Sequence, residues 1–312
     1  MCALDFKGTN DGGFGGYELT DQLLYNLKWF VDWGLLNNGA YGIYEYDSSS
    51  WYDDDESKLH PVKDERYGDG CVWEGVGREW VWESGAALSA SGSVDPFRVS
   101  GVYINGDFYP TTEVGINSHH VDYNNGRIIF DEAKSTDEDI RAEFTSRSVF
   151  VGFADHIEFR TLMLNAATEF LSDLSTSGVP TREHQVWLPS IFLELNRGTQ
   201  RGWQLGGGQI KTRYLTFHVF ADNPSDRNLL MDWLDYQSRS TFWMADLNNI
   251  IFPFDGYGDL VSGVTNWEKM VADYPWKRLR VIDSNPHVIN SLNSQIFRAR
   301  VVWEIEIDFG SI

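Results

Sequence analysis

One stretch, Tyr214 to Leu247, constrains the fold of this chain more than any other. Tyr214 to Phe220 alternates in a β-branched and aromatic run, which is the period of a strand with two unlike faces. Asn223 and Pro224 then supply a capping side chain and a preset first helical residue, and Leu229, Leu230, Trp233 and Leu234 form an apolar helical stripe. Thr241 to Met244 returns as a strand. Strand, capped helix and strand in immediate succession define a layered α+β unit, and the stretch carries no catalytic signature.

The rest of the carboxy-terminal half extends that pattern. A helix is expected over Phe159, Leu162, Met163, Ala166, Ala167, Phe170, Leu171 and Leu174, ending at Gly178 and Pro180. Strands are expected at Val186 to Glu194, Ile210 to Phe220, Thr241 to Ala245 and Lys277 to Ile282. In the last strand Trp303, Ile305, Ile307 and Phe309 alternate with Glu304, Glu306 and Asp308, so one face is buried and the other acidic. The sheet should be mostly antiparallel.

Toward the amino terminus, the glycine-rich GGFGG ending at Gly16 reads as an arm. A helix follows, capped by Thr20, with Asp21 at its positive end, Leu23, Leu27, Phe30 and Val31 on one side, and a break at Trp33-Gly34. Tyr46 to Gly70 is polar and reads as an exposed acidic loop around Asp53, Asp54, Asp55 and Glu56. From Cys71 to Phe153 short strands alternate with turns. Asn105-Gly106 and Asn125-Gly126 mark two hairpins, and Ile140, Ala142 and Phe144 mark a further strand. The expected organisation is an arm and helix over 1–45, a β-rich sandwich or barrel-like module over 46–154, and an α+β assembly module over 155–312.

Charge and cysteine content narrow the function. With 25 Lys and Arg against 46 Asp and Glu, the formal charge of −21 opposes adhesion to nucleic acid and to anionic membranes. Cys2 and Cys71 make neither a disulfide framework nor a CxxC site. No apolar run of about 18 residues and no basic-then-apolar leader is present, so maturation in the cytoplasm is expected.

Five constellations could carry chemistry. His119, His120 and Asp122 offer metal ligands, but only His120 and Asp122 share a strand face. Asp53 to Glu56 lacks the spacing of a calcium loop, and the glycine runs Gly12 to Gly16 and Gly206 to Gly208 lack the Lys-Ser/Thr of a phosphate loop. Asp255 and Asp259, in DGYGDL, could serve as acid and base in glycoside hydrolysis. Trp80 and Trp82, near Trp73, share a strand face and could stack on a sugar or pack a core. No complete nucleophile or ligand set emerges, so no enzyme and no cofactor are expected.

The run HVFADNPSDRNLLMDWLDYQSRSTFWMADLN (His218 to Asn248), preceded by LPSIFLEL (Leu188 to Leu195), resembles virion structural proteins of tailed bacteriophages. VYINGDFY and HVDYNNGRIIFDEA upstream look like the β-rich part of such proteins. The resemblance implies a non-enzymatic, ring-forming neck or tail-terminator protein at the head–tail interface, assembled in the host cytoplasm and resident in the virion. Its implied partners are itself, in a homo-oligomeric ring such as a hexamer, other neck and tail proteins, and passing genomic DNA bound without sequence specificity, with no membrane. Arg227, Trp233, Asp235 and Arg239 are the expected interface positions. The alternative function is a glycan-binding virion or cell-surface module built on Trp80 and Trp82.

Overall fold

The computed structural model describes residues 19–48, 56–86, 95–167, 187–202, 209–250, 252–261, 263 and 265–308. The arm through Gly16, Asp53 to Asp55, Phe170 to Pro180, Gly206 to Gly208 and Phe309 lie outside them. The element order begins α1 (Leu19–Asn37), β1 (Tyr41–Tyr44), β2 (His60–Val62), β3 (Val72–Glu74), β4 (Gly101–Ile104), β5 (Asp107–Pro110), β6 (His119–Asp122) and β7 (Arg127–Phe130). It continues β8 (Ile140–Ala142), β9 (Phe144–Arg147), β10 (Phe150–Phe153), α2 (Ile157–Ala166), β11 (Ser190–Gly202) and β12 (Gln209–Ala221). The chain then forms α3 (Pro224–Tyr236), β13 (Thr241–Ala245), α4 (Trp267–Asp273), β14 (Pro275–Ile289) and β15 (Phe297–Asp308). This is a β-rich α+β fold with an amino-terminal helix and mostly antiparallel sheets.

Helix α1 runs past the expected break at Trp33-Gly34. Trp33, Leu35 and Leu36 are buried, and their packing outweighs the roughly 1 kcal/mol cost of one helical glycine. The stop comes at Gly39, whose φ of 85° is left-handed, with Gly39 N–H donating to Leu36 O and Ala40 N–H to Leu35 O. Thr20 sits inside the helix and is not its cap.

The chain divides into two compact units. The first takes Trp33–Ser148 and Leu247–Met270, and the second takes Glu18–Asp32, Val149–Asp246 and Val271–Ile312. The segment 247–270, expected with the carboxy-terminal half, therefore packs with the β-rich unit. Ser84 N–H donates to Thr265 O, Asn266 Nδ2 donates to Ser84 O, and Arg98 Nη2 donates to Thr265 O.

In the first unit the strands form sheets ordered β2-β3-β7-β6, β5-β4-β8 and β1-β9. The Asn105-Gly106 turn joins β4 to β5 with Ile104 opposite Asp107. The second hairpin closes with Asp122 opposite Arg127, so its loop is Tyr123 to Gly126, two residues longer than an Asn-Gly turn alone. The reason is local. The Asp122 carboxylate accepts from the backbone N–H and Nδ2 of Asn125, which folds the loop back on itself. Ile140 and Phe144 fall on separate strands in separate sheets. The acidic loop is only partly open, since Ser57 and Leu59 are fully buried and β2 pairs with β3.

The second unit is built on one six-stranded sheet ordered β10-β11-β12-β15-β14-β13, antiparallel except for β10 against β11. Ala299, Val301, Trp303, Ile305 and Ile307 are buried on one face, as the alternation in sequence requires. Helix α3 lies on that face: the Trp303 indole donates to Leu234 O at 3.2 Å. Its first turn is capped by Asn223, whose Oδ1 accepts from Asp226 N–H at 2.9 Å. Helix α2 covers one end of the opposite face, where Phe159 and Leu162 pack with Phe192 and Phe220.

Helix α1 contacts both edges of this sheet. Tyr25 meets Phe153 of β10 with ring centroids 5.2 Å apart, while Asn26 bonds Ala245 of β13 and Phe30 stacks on Phe242 at 4.1 Å. Edges separated by five inter-strand spacings would be roughly 24 Å apart in a flat sheet. Neighbouring residues of one helix can touch both only because the sheet curls around α1.

Candidate functional site

Two of the sequence constellations meet in the first unit. His120, on β6, lies with Nε2 3.5 Å from Asp131 Oδ1 and Nδ1 3.7 Å from Asp259 Oδ2. Its ring stacks on Tyr257 at 4.1 Å with the planes 2° apart. Asp255 shapes the loop that delivers these groups, because its Oδ1 accepts from the N–H groups of Tyr257 and Asp259. That carboxylate is committed to a turn, so Asp255 and Asp259 do not form the acid–base pair that their spacing suggests.

The other ligand candidates are also engaged. Asp122 is 3% exposed and serves the Asn125 loop, while His119 is buried with Nδ1 2.9 Å from Asn117 O. Burial raises the Asp122 and Asp259 carboxyls above the usual carboxylate range and lowers the His119 imidazole. Among the described residues, no group of three or more His, Cys, Asp and Glu is placed to hold a metal ion. The arrangement ties the 252–261 loop to the β6–β7 hairpin through the approach of His120 to the Asp259 carboxylate and its stacking on Tyr257.

Gly258 is the tight point of this tether. Its φ is 87°, its carbonyl accepts from Tyr123 N–H, and a Cβ would fall 2.5 Å from Asp122 Oδ1. Gly258→Ala should destabilise the first unit by roughly 2–4 kcal/mol, combining left-handed strain with overpacking. Urea unfolding followed by Trp fluorescence checks this. A change below about 0.5 kcal/mol would mean that the loop is not held against Asp122.

The sugar platform does not survive burial. Trp73, Trp80 and Trp82 are 0%, 1% and 5% exposed. Trp80 stacks on Phe144 at 4.3 Å, and Trp82 meets Phe254 edge-on at 5.5 Å. These indoles pack the core of the first unit and leave no ring face for a glycan, which corrects the reading of Trp80 and Trp82 as a stacking surface.

Helix α3 in the second unit presents the remaining candidate surface. Leu230 and Leu234 are buried, while Leu229 is 67% and Tyr236 86% exposed. Leu229 therefore leaves the buried stripe assigned to it and joins Tyr236, two turns on, along the outer face. Asp232 is exposed between them, and Trp233 and Asp235 are half-buried at the sides. The Arg227 guanidinium bonds Asn228 Oδ1, and Arg239 is exposed just beyond the helix with φ 65°. The expected interface residues thus gather on and beside one helix.

On the opposite sheet face lies a pair that the sequence reading passed over, Arg298 and Arg300. The signal was present, because the alternation of β15 extends back through Ala299 and Val301 and turns both arginines the other way. In comparisons with known proteins, no family model matches the chain, and no match is found among curated proteins.

Proposed function

We propose that the chain is a non-enzymatic structural subunit of a tailed-phage virion, a ring-forming neck or tail-terminator protein at the head–tail interface. The observation that carries the reading is the outer face of α3, where Leu229 and Tyr236 stand exposed among charges of both signs. A neighbouring subunit gains apolar area there, and the charges set its register. The resemblance of His218 to Asn248 to phage virion proteins supplies the setting. A formal charge of −21 suits a ring through which DNA must slide without adhering. The partners are further copies of the chain, adjoining neck and tail proteins, and passing genomic DNA.

Replacing Leu229 and Tyr236 by Ser should weaken self-association at least about tenfold while each subunit stays folded, because both side chains are exposed in the single subunit. Sedimentation, with circular dichroism as the folding control, reads both quantities. An unchanged oligomer would remove α3 from the interface. A wild-type chain that stays monomeric would contradict self-assembly itself.

A further inference from the structure

The face of the six-stranded sheet opposite α3, acidic at Glu304, Glu306 and Asp308, carries toward its other end a rung centred on Arg300. By register, Arg300 lies between His218 on β12 and His287 on β14, and Arg298 follows two residues away on the same face. Arg300 and His287 are exposed. Among the described residues, neither arginine pairs with a carboxylate. Arg298 instead lies over the Phe220 ring and reaches Met163 Sδ, and burial alone lowers its guanidinium from the ordinary value. Glu194, on the neighbouring rung, is taken by His218 at 2.9 Å. Two adjacent arginines without acid partners among the described residues point to an anionic surface arriving from outside.

We infer that this rung receives helix α3 of a second copy of the chain, an inference that rests on the assembly reading above and names the surface that α3 meets. The charge is complementary. Of the helix's ionised side chains Asp226, Asp232 and Asp235 outnumber Arg227, and exposed Asp232 stands between the exposed Leu229 and Tyr236. The position of the two surfaces also decides the symmetry. Helix α3 lies on the Trp303 face, and Arg298 and Arg300 lie on the reverse of the same sheet. A contact between opposite faces cannot be reciprocated within a pair of copies. The pair keeps a rung free on one copy and a helix free on the other, so the contacts run head to tail and close into a ring or continue as a filament.

A charge-swap cycle tests this. Arg300→Glu and Asp232→Arg are both at exposed positions, and circular dichroism verifies that each variant is folded. Each single variant should weaken association at least about tenfold in sedimentation equilibrium, and the double variant should return to within roughly threefold of wild type, because every interface regains an opposite pair. Singles that assemble like wild type, or a double no better than the weaker single, would overturn the pairing and leave α3 assembly standing. A monomeric wild type would instead overturn the assembly reading, and the pairing with it. An intact oligomer in Arg300→Glu, combined with loss of binding to a labelled single-stranded oligonucleotide, would assign the rung to phosphate and also overturn the pairing.

Discussion

Replacing Arg147 by Met should destabilise the first unit by about 3–5 kcal/mol, the cost of leaving a carboxylate buried without its cation. Arg147 Nη2 reaches both oxygens of Glu83 at 2.5 Å, and the two side chains are 6% and 2% exposed. Their attraction offsets the desolvation of both charges only while both are present. The companion variant Arg147→Met with Glu83→Leu should therefore be markedly less damaging than Arg147→Met alone. Urea denaturation of wild type, single and double variants gives the comparison. A single variant costing less than about 1 kcal/mol, or a double as unstable as the single, would show that Glu83 does not depend on Arg147.

Asn26→Ala should have a comparable effect on the second unit, about 2–5 kcal/mol, through a different mechanism. The Asn26 side chain is fully buried and acts as a short piece of strand. Its Oδ1 accepts from Ala245 N–H at 2.6 Å, and its Nδ2 donates to Ala245 O at 3.0 Å and to Gln22 O at 2.8 Å. Ala245 follows the register shift in β13, so a side chain satisfies backbone groups beside an irregularity in the ladder. Truncation leaves a donor and an acceptor buried without partners. Asn26→Asp keeps the acceptor but turns a negative oxygen toward Ala245 O, and should be at least as harmful as alanine. Thermal unfolding ranks the three proteins, and an Asn26→Asp variant as stable as wild type would contradict the bonding described.

What could be read from sequence was local. The cap at Asn223, the start of α3, the bounds of β13 and the inward row of β15 each follow from residues within a few positions of one another. The continuation of α1 through Gly34 was not legible, because propensity argues for a stop and only the burial of Trp33, Leu35 and Leu36 argues against it. Nor was the return of 247–270 to the first unit. It depends on backbone and side-chain bonds such as Ser84 N–H to Thr265 O, which carry no signature at either end. The same distance effect hid the meeting of His120 with Asp259, and α4 is too short to present a clear stripe. On α3 the sequence identified the helix but divided its faces wrongly at Leu229, because an apolar residue on an outer face is indistinguishable by pattern from one on an inner face.

Under the proposed reading, that outer face serves assembly and the inner face serves folding. Leu230 and Leu234 hold α3 to its own sheet, whereas Leu229, Asp232 and Tyr236 make no comparable contribution within the subunit. The most direct measurement is negative-stain electron microscopy of the purified chain, with class averages across a concentration series. Head-to-tail assembly predicts closed rings, with a minor population of open arcs at low concentration. Fields of isolated single subunits at every concentration would contradict it.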